Sequence, residues 1–229
     1  MQRSTFRPAR SLRPRPDLRG GRTELLVAAD LAELAAGWIA ERARARSPFR
    51  IAVTGGTTPR PVYERLAGLD VDWSSWHVWW SDERAVPPGH PDSNERLARE
   101  TLLSRVPVPE EQIHPLRGLD VVLPETFDLV LLGIGSDGHT ASLFPGHEEE
   151  LSDPGPLVWV PEPGLPPPHP RISFSLSYLN TQPLVAFLIA GEKKRELLAR
   201  VLAGDEALPA SRVSAAATVV LADEAAAPK

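Results

Sequence analysis

The sequence has no cysteine, and none of its apolar runs approaches the length of a transmembrane helix. Without cysteine the chain has no disulfide bond, no thiolate metal ligand and no cysteine nucleophile, which is consistent with a reducing compartment. A membrane-spanning helix needs roughly 18 consecutive apolar residues, and no signal-peptide core follows the N-terminus. We therefore expect a cytoplasmic protein that makes no contact with a membrane.

Acidic and basic residues are unevenly distributed along the 229 residues, whose net charge is −5. Residues 1–22 carry seven arginines against Asp17 alone, which leaves a net charge of −11 on the rest. A basic arm can attract nucleic acid, but the prolines of this one and its lack of apolar periodicity favour a disordered tail. The acidic body argues against nucleic-acid binding. We predict a tail over residues 1–22 and a single α/β catalytic domain over residues 23–229.

Apolar runs of strand length alternate with helix-period segments through most of the chain. Strands are predicted at residues 23–28, 49–54, 77–84, 127–135, 171–175, 183–191 and 218–223. This alternation predicts a mostly parallel central sheet with helices on both faces, a Rossmann-like arrangement. Asp30, Thr58, and either Asp92 or Ser93 are predicted helix caps. Residues 145–170, rich in proline and glycine, are predicted to form a long surface connection.

Four predicted strands end in polar or glycine-rich segments, namely "TGGTTP", "SDER", "GIGSDGHT" and "AGEKK". Ligands of open α/β sheets bind beyond the carboxyl ends of the strands. If these four strands are parallel, their terminal segments meet in one crevice. The sequence therefore predicts a single functional site built from all four segments.

The first segment, Gly55-Gly56-Thr57-Thr58, has two interpretations. Glycines allow close backbone approach, and the free N–H groups at a helix start attract an anion, so the segment can hold a phosphate group. It can equally be a capped turn between a strand and a helix. It matches neither the Walker phosphate loop nor the dinucleotide-binding glycine pattern.

The segment "GIGSDGHT" places Asp137 and His139 two residues apart, directly after a buried strand. Imidazole is the natural general base near neutral pH, and a neighbouring carboxylate can fix its tautomer. The alternative is a histidine that only fills the turn; the position of the loop favours the catalytic role. The other histidines are interpreted as surface or structural residues without metal-ligand spacing: His77, His90, His114, His147 and His169.

Further charged candidates lie at the ends of other strands. Arg84 can grip a phosphate or an oxyanion through paired N–H donors, although a solvated ion pair would look the same in sequence. Lys194 opens a predicted helix, where its positive charge opposes the helix dipole. Asp82 is a possible assisting carboxylate, and Arg171 is ambiguous when considered alone.

Together these motifs resemble the glucosamine-6-phosphate isomerase/6-phosphogluconolactonase family, in the expected order. The matching strings are "VTGGTTPRPVYERL", "WWSDERAVPPGHPDSNERLARETLL", "FDLVLLGIGSDGHTASLFPGH" and "FLIAGEKKRELLARVL", followed by "LPAS". The resemblance covers roughly residues 23–223. It implies the α/β fold shared with glucosamine-6-phosphate deaminases and ribose-5-phosphate isomerases. It also implies hydrolysis of 6-phospho-D-glucono-1,5-lactone to 6-phosphogluconate in the oxidative pentose phosphate pathway, with no metal and no organic cofactor. The sequence does not fix the oligomeric state, and we expect a monomer or a small homo-oligomer.

The resemblance also implies roles for individual residues. His139 matches the base that activates water, with Asp137 as its orienting partner. Gly55, Gly56, Thr57 and Thr58 match the loop that holds the substrate phosphate. The remaining matches are basic residues: Lys194 and Arg171 as phosphate ligands, and Arg84 as either a phosphate ligand or an oxyanion ligand.

Two rival functions share this fold. Glucosamine-6-phosphate deaminases continue from the histidine into a string that ends in Asn-Glu-Pro and typically have tyrosine after the Asp-Glu pair. Here His139 is followed by "TASLFPG" and the Asp82-Glu83 pair by Arg84, so both differences point to the lactonase branch. A catalytically inactive sugar-phosphate sensor would retain the phosphate loop without needing the base, but both His139 and Asp137 are present.

Overall fold

The computed structural model describes residues 22–163 and 168–229 of the chain. The predicted tail therefore lies outside the described residues, apart from Arg22. Nine strands are described: β1 (Arg22–Ala28), β2 (Phe49–Val53), β3 (Trp76–Trp80), β4 (Asp82–Arg84), β5 (Leu129–Leu132), β6 (Leu157–Val160), β7 (Arg171–Phe174), β8 (Val185–Ile189) and β9 (Ala217–Asp223). The helices are α1 (Leu31–Arg44), α2 (Pro59–Leu66), α3 (Asn94–Thr101), α4 (Glu148–Leu151), α5 (Leu176–Asn180), α6 (Arg195–Leu202) and α7 (Pro209–Arg212).

Six strands form a parallel sheet in the order β1-β9-β8-β5-β2-β3. β5 and β8 are buried at every position, which requires cover on both faces of the centre of the sheet. Among the described helices, none is both long and apolar enough to cross a bilayer. The six parallel strands and the buried centre of their sheet confirm the predicted α/β class with a mostly parallel central sheet.

Of the three helix caps predicted from the sequence, two make the expected side-chain hydrogen bond. Asp30 accepts a hydrogen bond from the Glu33 N–H (3.0 Å), and Ser93 accepts one from the Arg96 N–H (3.1 Å), so both residues cap their helices. The predicted cap at Thr58 is wrong, because this residue already has helical dihedral angles and its side chain makes no capping bond. With Pro59 in the first turn, the start of α2 is left without a side-chain acceptor.

A second sheet of three antiparallel strands, in the order β4-β7-β6, departs from the sequence prediction. The strand predicted over residues 77–84 breaks at Ser81, whose N–H bonds to Val53 O (2.8 Å) while its carbonyl accepts from the Phe174 N–H (2.8 Å). Ser81 is therefore the point where the chain leaves the parallel sheet for the small one. The long surface connection predicted over residues 145–170 contains α4 and β6, and β6 is a strand of the small sheet.

The two sheets share one hydrophobic cluster. Phe127, just before β5, stacks on Phe174 of β7 with ring centroids 5.4 Å apart, and both side chains are buried. Phe127 also meets Trp79 of β3 edge-on at 5.3 Å. Aromatic packing of this kind helps to fix the small sheet against the large one.

Candidate active site

A crevice of about 200 Å³ opens at the carboxyl ends of β2, β3, β5 and β8. β2 is connected to β3 on one side and β5 to β8 on the other, so the strand order reverses between β2 and β5. Such a switch point is where open α/β sheets bind their ligands, because the two loops diverge and leave space between them. The predicted convergence of the four terminal segments on one crevice is confirmed.

His139 and Asp137 form a hydrogen-bonded pair on the loop after β5. His139 Nδ1 lies 2.6 Å from Asp137 Oδ1, which also accepts the His139 backbone N–H at 3.2 Å. The imidazole lines the crevice, and the carboxylate stands behind it. Because Nδ1 is engaged by the carboxylate, Nε2 is the nitrogen available for proton transfer.

Glycines determine how closely this loop folds around the imidazole. A Cβ added at Gly135 would lie 2.0 Å from His139 Nδ1 and Cε1, so the ring packs directly over the glycine backbone. Gly138 has a φ of +92°, which side chains disfavour. The Gly135 N–H also bonds to His139 O (2.8 Å), closing the turn that holds the ring in place.

The electrostatics of the pair favour an ionised carboxylate. Burial of Asp137 acts to raise its pKa, but the hydrogen bonds and the charge of His139 outweigh burial and hold the pKa below its ordinary value. A carboxylate that stays ionised favours the imidazolium form that a general base acquires when it takes a proton. The pair can therefore remove a proton from a water molecule in the crevice.

The loop from Gly55 to Thr58 forms the opposite wall of the crevice. Its entrance is fixed by the buried Tyr63 hydroxyl, which accepts the Thr54 N–H (2.9 Å) and donates to Thr54 O (2.7 Å). Gly56 has a φ of +98°, and a Cβ at Gly55 would lie 1.8 Å from Asn94 Oδ1. The glycines therefore let the loop pass beneath α3 and lead into the uncapped start of α2, an arrangement suited to an anion.

The small sheet contributes three charged residues to the crevice. Arg84 and Arg171 are register partners on β4 and β7, and Asp82 precedes Arg84 on the same face. Buried Asp82 accepts hydrogen bonds from Ser142 Oγ (2.6 Å) and Asn94 Nδ2 (3.2 Å). Burial lowers the pKa of Arg171, although the charge of Asp82 acts against this shift. Arginine remains protonated despite such a shift, so two guanidinium groups share this wall.

A buried carboxylate holds β4 against α3. Glu83 accepts hydrogen bonds from the Asn94 N–H (2.7 Å), the Glu95 N–H (2.6 Å) and Ser93 Oγ (3.0 Å). Burial raises the pKa of Glu83, and these hydrogen bonds act to lower it. Negative charge is favoured at a helix start, so Glu83 fixes the neighbouring Asp82 and Arg84 relative to α3.

Lys194 lies in a 3₁₀ turn, Glu192–Lys194, between β8 and α6. The predicted helix begins at Arg195, so both lysines precede it. Lys194 is half-buried and lines the crevice, whereas Lys193 is exposed and does not. Burial lowers the pKa of Lys194, and the charge of Asp137 opposes the shift. The crevice thus carries three cationic side chains, Arg84, Arg171 and Lys194.

All of the residues predicted for the site are brought together except that Asp137 stands behind the wall. Sequence reasoning missed Asn94, a buried residue of α3 that lines the crevice and donates to both Asp82 O (2.8 Å) and Asp82 Oδ1 (3.2 Å). A polar residue directly after the cap Ser93 was the available signal. His90 and His169, interpreted from the sequence as surface or structural residues, are half-buried and both lie near Asp92.

The family model described as glucosamine-6-phosphate isomerases/6-phosphogluconolactonase matches residues 22–221. The chain belongs to this family. Among its relatives in the family, a 6-phosphogluconolactonase from Nostoc sp. is 42% identical over 176 residues, or 68% of this chain and 72% of the relative. One from Synechocystis sp. is 39% identical over 180 residues, or 69% of this chain and 73% of the relative.

Two solved structures have the same architecture. A 6-phosphogluconolactonase from Thermotoga maritima superposes with a TM-score of 0.78 at 31% identity, covering 88% of this chain and 100% of that one. A monomeric glucosamine-6-phosphate deaminase superposes with a TM-score of 0.74 at 19% identity, covering 88% of this chain and 98% of that one. The second likeness concerns the fold alone.

Proposed function

We propose that this protein hydrolyses 6-phospho-D-glucono-1,5-lactone to 6-phosphogluconate, and that it acts in the cytoplasm. The observation that carries the proposal is the His139–Asp137 pair, with Nδ1 and Oδ1 2.6 Å apart, facing a crevice with three cationic side chains. A phosphorylated lactone has the matching features, namely an electrophilic carbonyl and a remote dianion. The relatives named 6-phosphogluconolactonase support the same reaction.

His139 acts as the general base. Its Nε2 takes a proton from water while the water oxygen attacks C1 of the lactone, forming a tetrahedral intermediate with a negative carbonyl oxygen. The intermediate collapses as the bond from C1 to the ring oxygen breaks, and that oxygen takes a proton from the imidazolium. The products are a carboxylic acid, which ionises, and the C5 hydroxyl. Asp137 holds the imidazole tautomer and favours the imidazolium throughout.

We infer that Arg171 stabilises the oxyanion. Its guanidinium carbon lies 5.4 Å from the Phe144 ring centroid, and that ring lies 4.7 Å from the His139 ring. The charge of Asp137 also influences Arg171. These contacts put Arg171 on the same side of the crevice as the base. A preorganised cation at this position is worth most in the transition state, where the negative charge develops.

The substrate phosphate is held by the loop from Gly55 to Thr58 together with Arg84 and Lys194. Arg84 also lines an adjoining cavity with Gly56 and Thr57, which associates its side chain with this loop. A phosphate bound here fixes the distant carbonyl against the base, so binding energy from a non-reacting group lowers the barrier to reaction.

The test compares three substrates with one protein preparation. We expect rapid hydrolysis of freshly generated 6-phosphogluconolactone after the spontaneous rate is subtracted. For unphosphorylated gluconolactone, kcat/KM should be lower by about 10²-fold, because the phosphate positions the carbonyl. Equal kcat/KM for both lactones would refute the phosphate site. Ammonia release from glucosamine 6-phosphate would identify a deaminase, and binding of 6-phosphogluconate without turnover would identify a sensor.

A further inference from the structure

Two histidines and an aspartate lie close together beside a cavity that adjoins the crevice and is lined in part by Asp92. His90 and Asp92 are neighbours in the sequence, whereas His169 lies 77 residues beyond Asp92. His169 Nε2 lies 2.9 Å from Asp92 Oδ2, and His90 Nδ1 lies 3.8 Å from the same oxygen. The two imidazole rings are nearly perpendicular, with centroids 5.2 Å apart. One ligand atom from each of these residues lies within 4.8 Å of the others, and all three side chains are half-buried.

We propose that His90, Asp92 and His169 form a binding site for a divalent transition metal such as zinc. Zinc accepts imidazole nitrogen and carboxylate oxygen at about 2.0–2.2 Å, so tetrahedral ligands stand roughly 3.4 Å apart. The measured separations of 2.9 and 3.8 Å fall on either side of that value. The three side chains are about one-third exposed, so we expect small rotations to complete the geometry.

The backbone beneath the three residues is already organised. The Ala85 N–H donates to Pro170 O (2.8 Å), which joins the loop that carries His90 to the segment that carries His169. The His90 N–H donates to Pro87 O (3.1 Å), and the Ser93 N–H donates to His90 O (3.0 Å). The metal therefore does not need to order a loop, and little conformational entropy opposes binding.

Metal binding would replace two local hydrogen bonds. The Asp92 N–H donates to His90 Nδ1 at 3.1 Å, and His169 Nε2 shares a bond with Asp92 Oδ2. A typical intramolecular hydrogen bond contributes little net stability, because it replaces hydrogen bonds to water. Coordination bonds to zinc are stronger, so the exchange favours the metal.

The ligand set selects the class of ion. Two imidazoles and one carboxylate suit zinc and its neighbours in the first transition row, whereas magnesium and calcium require several oxygen ligands. Arg84 donates through Nη1 to the Asp92 carbonyl oxygen, so a cationic group already adjoins the site. A metal ion held by neutral imidazole ligands tolerates that cationic neighbour better than an ion held only by electrostatic attraction would.

The metal would couple this site to the two arginines of the crevice. Asp92 is bonded to Arg84, and His169 lies two residues before Arg171 on the same extended segment. An ion that ties Asp92 to His169 is therefore expected to make the small sheet harder to unfold. This inference does not depend on which lactone or sugar phosphate is the substrate.

The test is a calorimetric titration of Zn²⁺ into the untagged full chain after treatment with a chelator. We expect one ion per chain with a Kd in the range of about 1–10 µM, weakened about tenfold or more in His169→Ala and His90→Ala. His147→Ala is the matched control, since His147 is also half-buried and lies 3.7 Å from a carboxylate, that of Glu150. His139→Ala tests whether the catalytic pair is the ligand instead.

The proposal is overturned by a Kd weaker than about 1 mM, by equal affinity in all variants, or by loss of binding in His139→Ala. Because a variant could lose metal binding by misfolding, a second measurement uses Co²⁺ and the unaltered chain. Co²⁺ bound by nitrogen and oxygen ligands in a four-coordinate site should give visible absorption that excess Zn²⁺ abolishes. A Co²⁺ spectrum like that of the hexaaqua ion would contradict the proposed site. Zn²⁺ should also raise the melting temperature of wild type and leave that of His169→Ala unchanged.

Discussion

The loops of the large sheet bring His139, Lys194 and the backbone of residues 55–58 to the crevice, whereas β4 and β7 of the small sheet bring Asp82, Arg84 and Arg171. The large sheet positions its groups by a general rule, since the carboxyl ends of adjacent parallel strands meet at one edge. The small sheet positions its groups through the antiparallel pairing of β4 with β7. The chemistry of the site therefore depends on two independent ways of placing a side chain.

The two regions also differ in how their charges are balanced. Asp137 of the large-sheet loop is paired with one imidazole, so its pKa lies below the ordinary value despite burial. In the small sheet, burial lowers the pKa of Arg171 although Asp82 is near. Proton transfer is thus expected from the large-sheet loops and fixed positive charge from the small sheet. Variants of each region should separate these contributions.

The largest effect is expected at the base. His139→Ala should lower kcat for the phosphorylated lactone by about 10²–10⁴-fold, because a positioned general base contributes a factor of this size. KM should change little, since the phosphate ligands remain. The measurement is steady-state hydrolysis with the spontaneous rate subtracted. Retention of more than a tenth of wild-type kcat would mean that another group activates the water, a threshold of about 1.4 kcal/mol.

A glycine pair tests the position of the base without removing it. Gly135→Ala places a methyl group on the His139 ring, where an ideal Cβ would lie 2.0 Å from Nδ1, and should lower kcat nearly as much as His139→Ala. Gly68→Ala is the matched control, because its Cβ would have only an ordinary contact with Arg65 O at 3.5 Å. Full activity in Gly135→Ala would show that the exact placement of the imidazole is unimportant.

The next effect concerns the register partners of the small sheet. Arg171→Ala should lower kcat by about 10²-fold, the usual cost of losing one oxyanion donor. Arg84→Ala should mainly raise KM, because the lost contact is made to the phosphate in both the ground state and the transition state. Separate kcat and KM values measured for both variants provide the test. If Arg171→Ala instead raised KM and Arg84→Ala lowered kcat, the two assigned roles would have to be exchanged.

This difference between the sheets also explains what the sequence could predict. The alternation of apolar runs and helices predicts the parallel sheet, and the polar ends of its strands predict the crevice. The loops after β2 and β5 could be recognised because glycine and polar residues directly follow buried strands. These signals are local, since each depends on about ten consecutive residues.

The small sheet could not be predicted in the same way. β4 has three residues, and its partner β7 begins 87 residues later, so the pairing leaves no local periodicity. β6 lies between prolines, in a stretch whose composition is typical of a loop. His90 and His169 illustrate the same limit, because only the pairing of β4 with β7 brings them together. Long-range register, and every site that depends on it, became visible only in the folded chain.

A smaller effect is expected at Lys194, where the chain offers a control in the adjacent residue. Lys194→Ala should raise the Kd of 6-phosphogluconate by about tenfold, since one charge-assisted contact to phosphate is lost. Lys193→Ala should bind like wild type, because Lys193 is exposed and does not line the crevice. Equal effects of the two substitutions would mean that general surface charge, and not a specific contact, attracts the phosphate.

The pH dependence of binding should identify the same lysine. Because burial lowers the pKa of Lys194, its charge is lost at a lower pH than that of an ordinary exposed lysine. The Kd of 6-phosphogluconate should therefore rise on the alkaline side in wild type. Lys194→Arg should keep its affinity over the same range, since arginine stays protonated. Parallel profiles for the two proteins would assign the titration to another group.

The smallest effect concerns folding, and it should arise away from the crevice. His77 of β3 and His114 lie with Nδ1 and Nε2 3.4 Å apart, and burial lowers the pKa of both imidazoles. Since the folded chain disfavours their protonation, the stability they contribute is present above the unfolded pKa of about 6.5 and is lost below it. The pKa of Asp137 is also lowered, but its contribution is lost only at much more acidic pH. Urea unfolding at pH 7.5 and 5.5 should show a fall in the free energy of unfolding that is smaller in His77→Asn. An equal fall in the two proteins would place the acid sensitivity elsewhere.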